Sequence, residues 1–418
     1  DEDGYPTEDL ERLKTWLKEV FDRILDAKEY NITAINFSSY GASLVHLDEN
    51  DEVVTPLYNY TKEISQEIID SFYEKYGPKL DFALATGSPV SGLLNSGIQL
   101  YWLKHTKPEI FKRIKYSLHL PQYLSFIFTG IPVSEHTSIG CHTALWDYNK
   151  KDYHDWVYKE GIYKILPKIV STETSINMSY NGKRIKIGVG IHDSSAALLP
   201  YVRSVRKKFI LVSTGTWSIT MNPFSEEALK DSDIDKNCIN YMRINGKAVK
   251  ASSLFLGNEY KEQVKMLSEH FQVSSEYHKT IRFNHDIYLE IIKDFEYMYR
   301  WVSISDERMP ESTKIPYDNY EHAYHQLVVE LVLLQVECIK TVSGKDNIER
   351  LYIDGGFTDN DVYIQLISHY LRNMRLSTTD SSLGSALGAA LCISDVRLNS
   401  KFLRKNYALK KHVPFIIQ

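Results

Sequence analysis

The chain has 418 residues, 43% of them hydrophobic and 25% charged, and this length favours two domains over a single core. The net charge of −5 gives no electrostatic reason to expect a nucleic-acid partner or an acidic membrane surface. No apolar run approaches the ~20 residues that a membrane-spanning helix needs. We therefore expect a soluble, cytoplasmic protein with neither a nucleic-acid nor a membrane partner.

Helical and strand patterns alternate in the first half of the chain. Apolar residues recur every three or four positions from Leu10 to Leu25 and again from Ile64 to Tyr76, which predicts two amphipathic helices. Short helices are expected between Gln99 and Gly130. Short strands are predicted at 34–37, at 43–47, from Val53 onward and at 186–190.

After Lys208 the pattern begins again with strands. A hairpin is predicted around Asn245-Gly246 and a long helix over about 320–342. The predicted strands are 209–212, 218–221, 239–244, 248–251, 350–353 and 374–377, and two helices follow at 359–371 and 383–393. Strands first, then alternating strands and helices, indicate a mixed α/β domain.

The four cysteines are Cys141, Cys238, Cys338 and Cys392. They lie far apart and form no CxxC pair, so the sequence predicts neither a zinc site nor a redox motif, and it indicates no metal-ligating residues. Reduced, mostly buried thiols are the simplest interpretation.

A strand that ends in glycines leads to His192 and Asp193 and then to a helix opened by small residues. A carboxylate at this point lies near the positive end of the helix and can act as a general base. Asp193 could equally be only the cap of that helix. The local pattern leaves both alternatives open.

The segment 213–218 places Gly215 and Thr216 between two strands. Glycine lets the backbone approach a ligand, and successive amides flanked by hydroxyls can hold an anion. A tight hairpin turn without a ligand would have the same sequence.

A second glycine turn, 354–360, follows an apolar strand and contains Gly356, Phe357 and Asn360. Two glycines leave room for a flat ring or sugar against the backbone, and the Asn360 amide can bind it. The alternative is a simple helix start capped by Asp359. Because neither GxxxxGK[ST] nor GxGxxG occurs, nucleotide binding would need another architecture.

The segment 382–390 is rich in small residues. Such a helix can approach a sheet or a bound nucleotide closely, and packing alone is the simpler interpretation of any one of these residues.

Taken in this order, the four segments resemble the FGGY carbohydrate kinases of the actin-like ATPase superfamily, most closely their rhamnulokinase and fuculokinase members. Upstream, 39–42, followed by Leu47 and Asp48, is similar to the family's sugar-side strand and turn. The segment 96–104, followed by 108–111, is similar to its first signature. The resemblance implies an α/β fold of two RNase H-like domains with mixed sheets flanked by helices and the active site in the cleft between them. It implies an N-terminal domain at 1–207, a C-terminal domain at 208–395, a hinge near Val205 to Lys208, and an extension at 396–418.

The resemblance also implies the chemistry. Asp193 would take the proton from a hydroxyl of a small ketose, with ATP as donor and Mg²⁺ as cofactor. Gly215 and Thr216 would hold the phosphates, and Gly356, Phe357 and Asn360 would border adenosine. The residues expected to line the sugar pocket are Tyr40, Gln99 and His192. A homodimer is a further expectation.

Three features depart from the family pattern. The chain begins at Asp1, where the family usually has earlier strands with an Asp-x-Gly phosphate loop. Residues 58–62 stand where many relatives have a Trp-x-Asp-x-Arg sugar clamp, and Gln99 replaces a usual lysine. The alternatives to a sugar kinase are therefore an inactive sugar- or nucleotide-binding relative and an ATPase without a sugar acceptor.

Overall fold

The structure, a computed structural model, describes residues 1–380 and 383–415. Nine helices in these ranges precede residue 205, and helix α1 begins where the Asp9 side chain accepts a hydrogen bond from the backbone N–H of Arg12. The nine are α1 Leu10–Asp26, α2 Gln66–Tyr76, α3 Lys79–Thr86, α4 Ser96–Thr106, α5 Pro108–Phe111, α6 Leu120–Thr129, α7 His136–Ile139, α8 Asp155–Lys159 and α9 Asp193–Ser204. No helix in the described part of the chain is long and apolar enough to cross a membrane.

Short strands connect these helices. They are β1 Ala34–Ile35, β2 Ser38–Ser39, β3 Leu44–Leu47, β4 Tyr116–His119, β5 Ser134–Glu135, β6 Trp146–Asp147, β7 Asp152–Tyr153, β8 Ile169–Val170, β9 Ser175–Tyr180, β10 Lys183–Gly188 and β11 Ile191–His192. Strand β10 pairs in parallel with β1 and antiparallel with β9, and β11 pairs in parallel with β2. The β2–β11 pair ends directly at the start of α9, so it positions Asp193.

Residues after 208 form one mixed seven-stranded sheet in the order β14-β15-β13-β12-β16-β17-β18. Its strands are β12 Phe209–Thr214, β13 Ser218–Asn222, β14 Cys238–Met242, β15 Ala248–Leu254, β16 Arg350–Gly355, β17 Arg375–Thr379 and β18 Lys410–Lys411. Strands β12, β16 and β17 are parallel. Since the carboxyl ends of parallel strands meet at one edge, the two predicted glycine turns lie side by side there.

Helices cover this sheet. They are α10 Asp231–Ile234, α11 Leu256–His270, α12 His285–Lys293, α13 Tyr320–Ser343, α14 Asp361–Tyr370, α15 Gly384–Cys392 and α16 Phe402–Asn406. Helix α13 lies at the centre of the larger core, where most of its 24 residues are buried. It lies against β15 and β13, and its apolar side chains share this core with those of β12 and β16.

Two predictions about secondary structure were wrong. Val53 makes only an isolated bridge to Leu47 and begins no strand. The stretch predicted as short helices contains a strand, β4, which pairs with β3. Ser117 and Leu118 are neighbours in β4, so they point to opposite faces, and both are buried. The strand therefore lacks the alternation of polar and apolar residues that marks a half-exposed strand.

Helices α9 and α15 join the two parts of the chain. Gly388 of α15 packs directly on α9, since a Cβ atom there would lie 1.8 Å from the carbonyl oxygen of Ala196. The packing interpretation of the small-residue segment therefore holds for Gly388, whereas Ser382 lies outside the described residues. Strand β14 adds two contacts: Asn240 N donates to Gly87 O at 3.0 Å, and Ser195 Oγ to Met242 O at 2.8 Å.

Candidate functional site

Asp193 is the first residue of α9 and not its cap. The preceding residue, His192, occupies the cap position, and its side chain makes no capping hydrogen bond with the described residues. The Oδ1 atom of Asp193 accepts hydrogen bonds from the backbone N–H of Ser194 at 2.5 Å and from its hydroxyl at 3.1 Å. The side chain remains 44% exposed, so the carboxylate combines a fixed orientation with access to a ligand.

His192 contacts this carboxylate from a buried position. Its Nε2 atom lies 3.3 Å from Asp193 Oδ1. Burial lowers the pKa of His192, although the charges of Asp193 and Glu135 oppose the shift. Burial therefore favours a neutral imidazole next to the carboxylate.

Asp193 lines a cavity of about 640 Å³ at the edge of the large sheet. Three further carboxylates line it: Asp354, Asp359 and Asp380. Carboxylate oxygens are the hard ligands that Mg²⁺ prefers, so this donor set fits the cofactor that the family resemblance implies. Gly384 and Ser385, at the start of α15, form part of the wall.

The turn between β12 and β13 is held against the start of α11. The backbone N–H groups of Gly257 and Asn258 both donate to Thr216 O at 3.1 Å. Gly257 permits this contact, because a Cβ atom there would lie 1.8 Å from the carbonyl oxygen of Gly215. The turn thus lies at the positive end of a 15-residue helix, which favours an anion.

A second cavity, of about 870 Å³, contains all five residues predicted to bind the nucleotide: Gly215, Thr216, Gly356, Phe357 and Asn360. Aromatic rings and cations that the sequence did not indicate complete the wall. They are Tyr260, Lys261, His278, Lys279, Arg282 and Tyr324. The volume is in the range of small-molecule and cofactor sites.

Asn360 is the cap of α14, and the prediction that Asp359 could be this cap was wrong. The Asn360 side chain accepts a hydrogen bond from Tyr363 N and donates one to the Tyr324 hydroxyl at 3.0 Å.

Gly355 has a φ of 87°, and a Cβ atom there would lie 1.9 Å from the carbonyl oxygen of Thr214. The glycine is therefore required where β12 and β16 end together.

The two cavities adjoin but are distinct. Ser213 and Gly355 line the first cavity. Gly215 and Gly356, which lie two residues and one residue further along the chain, line the second cavity, and Asp359 lines both. The structure thus brings the predicted phosphate turn next to the cavity of Asp193 without enclosing both in one space.

None of the three predicted sugar-side residues, Tyr40, Gln99 and His192, lines either cavity. Gln99 is buried on α4, and its amide has no hydrogen-bond partner among the described residues. Ser96, one turn earlier, binds His119 Nε2 at 3.0 Å, and His119 lies near enough to His192 for the two charges to interact. Tyr40 packs on Tyr60, and burial raises its pKa to about 12.

Other residues around His192 had no signal in the sequence. The rings of His142 and Tyr241 lie 6.3 and 5.3 Å from that of His192. Tyr241 belongs to β14, so the second part of the chain reaches the Asp193 site. A lone His or Tyr in a sequence gives no sign of such a contact.

The family model of the FGGY carbohydrate kinases, N-terminal domain, matches residues 1–198. Residues 1–198 belong to the FGGY family of carbohydrate kinases. This confirms the resemblance that the ordered motifs carry. The remaining residues are assigned by fold alone.

Curated relatives agree with this FGGY assignment. The chain is 23% identical over 204 residues to a rhamnulokinase of Oceanobacillus iheyensis, covering 46% of the chain and 41% of that protein. It is 26% identical over 207 residues to an L-xylulose/3-keto-L-gulonate kinase of Escherichia coli, covering 45% and 40%. The chain therefore spans about two fifths of the length of the curated relatives it matches.

Solved structures share the fold over the whole chain. A carbohydrate kinase from Novosphingobium aromaticivorans superimposes with a TM-score of 0.78 at 21% identity, covering 100% of this chain and 90% of that one. The predicted α/β fold is confirmed, and it is the fold of that carbohydrate kinase structure.

Proposed function

We propose that this protein is an ATP-dependent carbohydrate kinase that transfers the γ-phosphate of ATP to a hydroxyl of a small ketose, with Asp193 as the general base. The observation that carries the proposal is the Asp193 carboxylate, accessible at the start of α9 in a cavity that adjoins the one lined by Gly215 and Gly356. Membership of residues 1–198 in the FGGY family supports the choice of reaction.

The second cavity would bind ATP. Phe357 and Tyr260, whose rings lie 5.0 Å apart, offer apolar surface to adenosine, and Asn360 borders it. Gly215 and Thr216 would hold the phosphates at the positive end of α11, and Lys261 and Arg282 add positive charge at the wall. The terminal phosphate would then extend toward the Asp193 cavity.

In the transfer step, Asp193 would accept the proton of the sugar hydroxyl as its oxygen bonds to the γ-phosphorus. The bond from that phosphorus to the β,γ-bridging oxygen breaks, and ADP leaves. His192 and Ser194 hold the carboxylate in place through Oδ1. Bound at the carboxylates of the first cavity, Mg²⁺ would neutralise charge on the phosphates.

The sugar would bind on the side of His192, with Gln99 and Tyr40 as further contacts. The unpaired amide of Gln99 supports this assignment, because an unsatisfied buried polar group costs free energy that a sugar hydroxyl would recover. The names of the relatives, rhamnulokinase and L-xylulose/3-keto-L-gulonate kinase, favour a ketose as acceptor.

The large sheet begins directly after 207, which supports domains at 1–207 and 208–395 with a hinge near Val205 to Lys208. The extension after 395 contributes one edge strand, because β18 pairs with β17.

A coupled assay of ADP release tests the activity directly. Purified protein is supplied with ATP, Mg²⁺ and, in turn, rhamnulose, fuculose, xylulose, ribulose or glycerol. We expect ADP release only when one particular ketose is present, with one molecule of that ketose consumed for each ADP released. ADP release that is independent of any sugar would indicate an ATPase instead, and no release with nucleotide bound would indicate an inactive relative.

A further inference from the structure

A thiol and two imidazoles come together beside the proposed base. Cys141, His142 and His192 each offer one ligand atom, and these three atoms lie within 4.8 Å of one another. Cys141 and His192 are buried, whereas His142 is partly exposed. Gly41 packs between Cys141 and His192, because a Cβ atom there would lie 2.6 Å from Cys141 Sγ and 2.9 Å from His192 Cδ2.

Each histidine has an oxygen atom near one ring nitrogen. Nε2 of His192 lies 3.3 Å from Asp193 Oδ1, and its buried Nδ1 has no hydrogen-bond partner among the described residues. His142 directs Nδ1 toward the carbonyl oxygen of Leu94 at 3.3 Å, which leaves the lone pair of a neutral ring on Nε2. Metal-binding histidines use this arrangement, since one nitrogen donates to a carboxylate or carbonyl while the other binds the ion.

The surroundings carry negative charge. Asp193 contacts His192, and the carboxylate of Glu135 interacts with both Cys141 and His192. Glu135 itself is buried and accepts hydrogen bonds from Thr137 and Ser138. These groups favour a cation between the three ligand atoms over an anion.

We propose that Cys141, His142 and His192 form a binding site for a borderline-soft divalent ion such as Zn²⁺. Thiolate and imidazole are the ligands that this class of ion prefers, and water would be the fourth ligand. Binding converts the Cys141 thiol to a thiolate, and its proton passes to solvent. The absence of a CxxC pair predicted no zinc site, because spacing in the sequence does not show that His192 lies beside Cys141.

An ion at this site affects the proposed sugar side. It occupies a ring nitrogen of His192, and the sugar is proposed to bind on the side of His192. Zn²⁺ therefore inhibits phosphoryl transfer; this consequence rests on the proposed function, whereas the binding of the ion does not.

Co²⁺ absorption and Zn²⁺ dialysis test the site without any assay of activity. In the intact protein, we expect one Co²⁺ per chain and a near-ultraviolet thiolate-to-cobalt charge-transfer band that Zn²⁺ abolishes and excess Mg²⁺ does not. Cys141→Ser removes the band, and both Cys141→Ser and His142→Gln weaken Zn²⁺ binding by about tenfold or more. Cys392→Ser, at another buried thiol, is the matched control and keeps both properties.

The proposal is overturned if the intact protein shows no charge-transfer band or if the band persists in Cys141→Ser. Circular dichroism of both variants shows whether they fold. His142 is partly exposed, so His142→Gln gives a second test that leaves the buried thiol unchanged. If a sugar substrate is found, micromolar Zn²⁺ should inhibit the intact protein and spare Cys141→Ser. Failure of the kinase assay would leave the metal-binding result unaffected.

Discussion

Asn360 illustrates how one side chain serves both the fold and the proposed nucleotide site. Its oxygen caps α14, and its amide nitrogen reaches the hydroxyl of Tyr324 at the cavity wall. Substitutions can separate these roles, because aspartate retains the capping oxygen and lacks the nitrogen donor.

We predict that Asn360→Asp weakens ATP binding while the stability of the protein changes little. Asn360→Ala should weaken ATP binding too, and should also lower the free energy of unfolding by ~1 kcal/mol through loss of the cap. Steady-state kinetics would show a KM for ATP that rises more than the KM for sugar. The opposite ranking would show that the two cavities are assigned to the wrong substrates.

At the scale of single residues, the sequence indicates candidate site residues where local chemistry is distinctive. Glycines at the ends of β12 and β16 mark close approaches of the backbone, and Gly215 and Gly356, both predicted to bind the nucleotide, line the same cavity. Tyr260 and Tyr324 could not be predicted, because they look like ordinary helix residues until α11 and α13 meet. Local pattern does not show whether Asp193 or His192 is the cap of α9, because the two differ by one position.

At the scale of elements, the packing of α15 on α9 fixes the start of α9. Gly388 allows the contact, since its Cα faces the backbone of Ala196 without a side chain. We predict that Gly388→Ala destabilises the protein by ~1–3 kcal/mol in urea unfolding, because the methyl group forces the helices apart. Ala390→Ser, at an exposed position of the same helix, should change stability by less than ~0.5 kcal/mol. Equal stability of the two variants would contradict the packing described here.

Helix α13 carries a buried acid, Glu330. The backbone N–H groups of Met298 and Tyr299 donate to its carboxyl group, and burial raises its pKa from 4.5 to about 7. Between these values the unfolded chain holds fewer protons than the folded one, so stability that is present below pH 4.5 is lost as pH rises through 7.

We predict that Glu330→Gln removes this loss. Between about pH 5 and about pH 8, the fall in the free energy of unfolding should be ~3 kcal/mol smaller in the variant than in the unchanged protein. Glu337→Gln is the control on the same helix: the ion pair with Lys236 lowers the pKa of Glu337, so it is ionised in both states across this range. If the free energy of unfolding of Glu330→Gln had the same pH dependence as that of the unchanged protein, Glu330 would not titrate between these pH values.

At the scale of the whole molecule, the contacts of α9 with α15 and β14 connect the two parts of the chain beyond the single crossing at 205–208. The alternation of strands and helices predicted the α/β class, but not these contacts, which join residues far apart in sequence. Residues of α9, β16 and α15 line the Asp193 cavity, so a small rotation of the two parts against each other would change its width.

We predict that a sugar substrate and a non-hydrolysable ATP analogue, added together, reduce the radius of gyration in small-angle X-ray scattering. Each ligand alone should have a smaller effect, since only the pair bridges the cavities. An unchanged radius with both ligands bound would argue against closure.

Single-turnover phosphoryl transfer by Asp193→Asn tests the central claim most directly. Asparagine keeps the shape of the side chain and cannot accept the proton, so we expect transfer to fall by at least ~10²-fold while ATP still binds with nearly unchanged affinity. Transfer at a rate close to that of the unchanged protein would contradict Asp193 as the base.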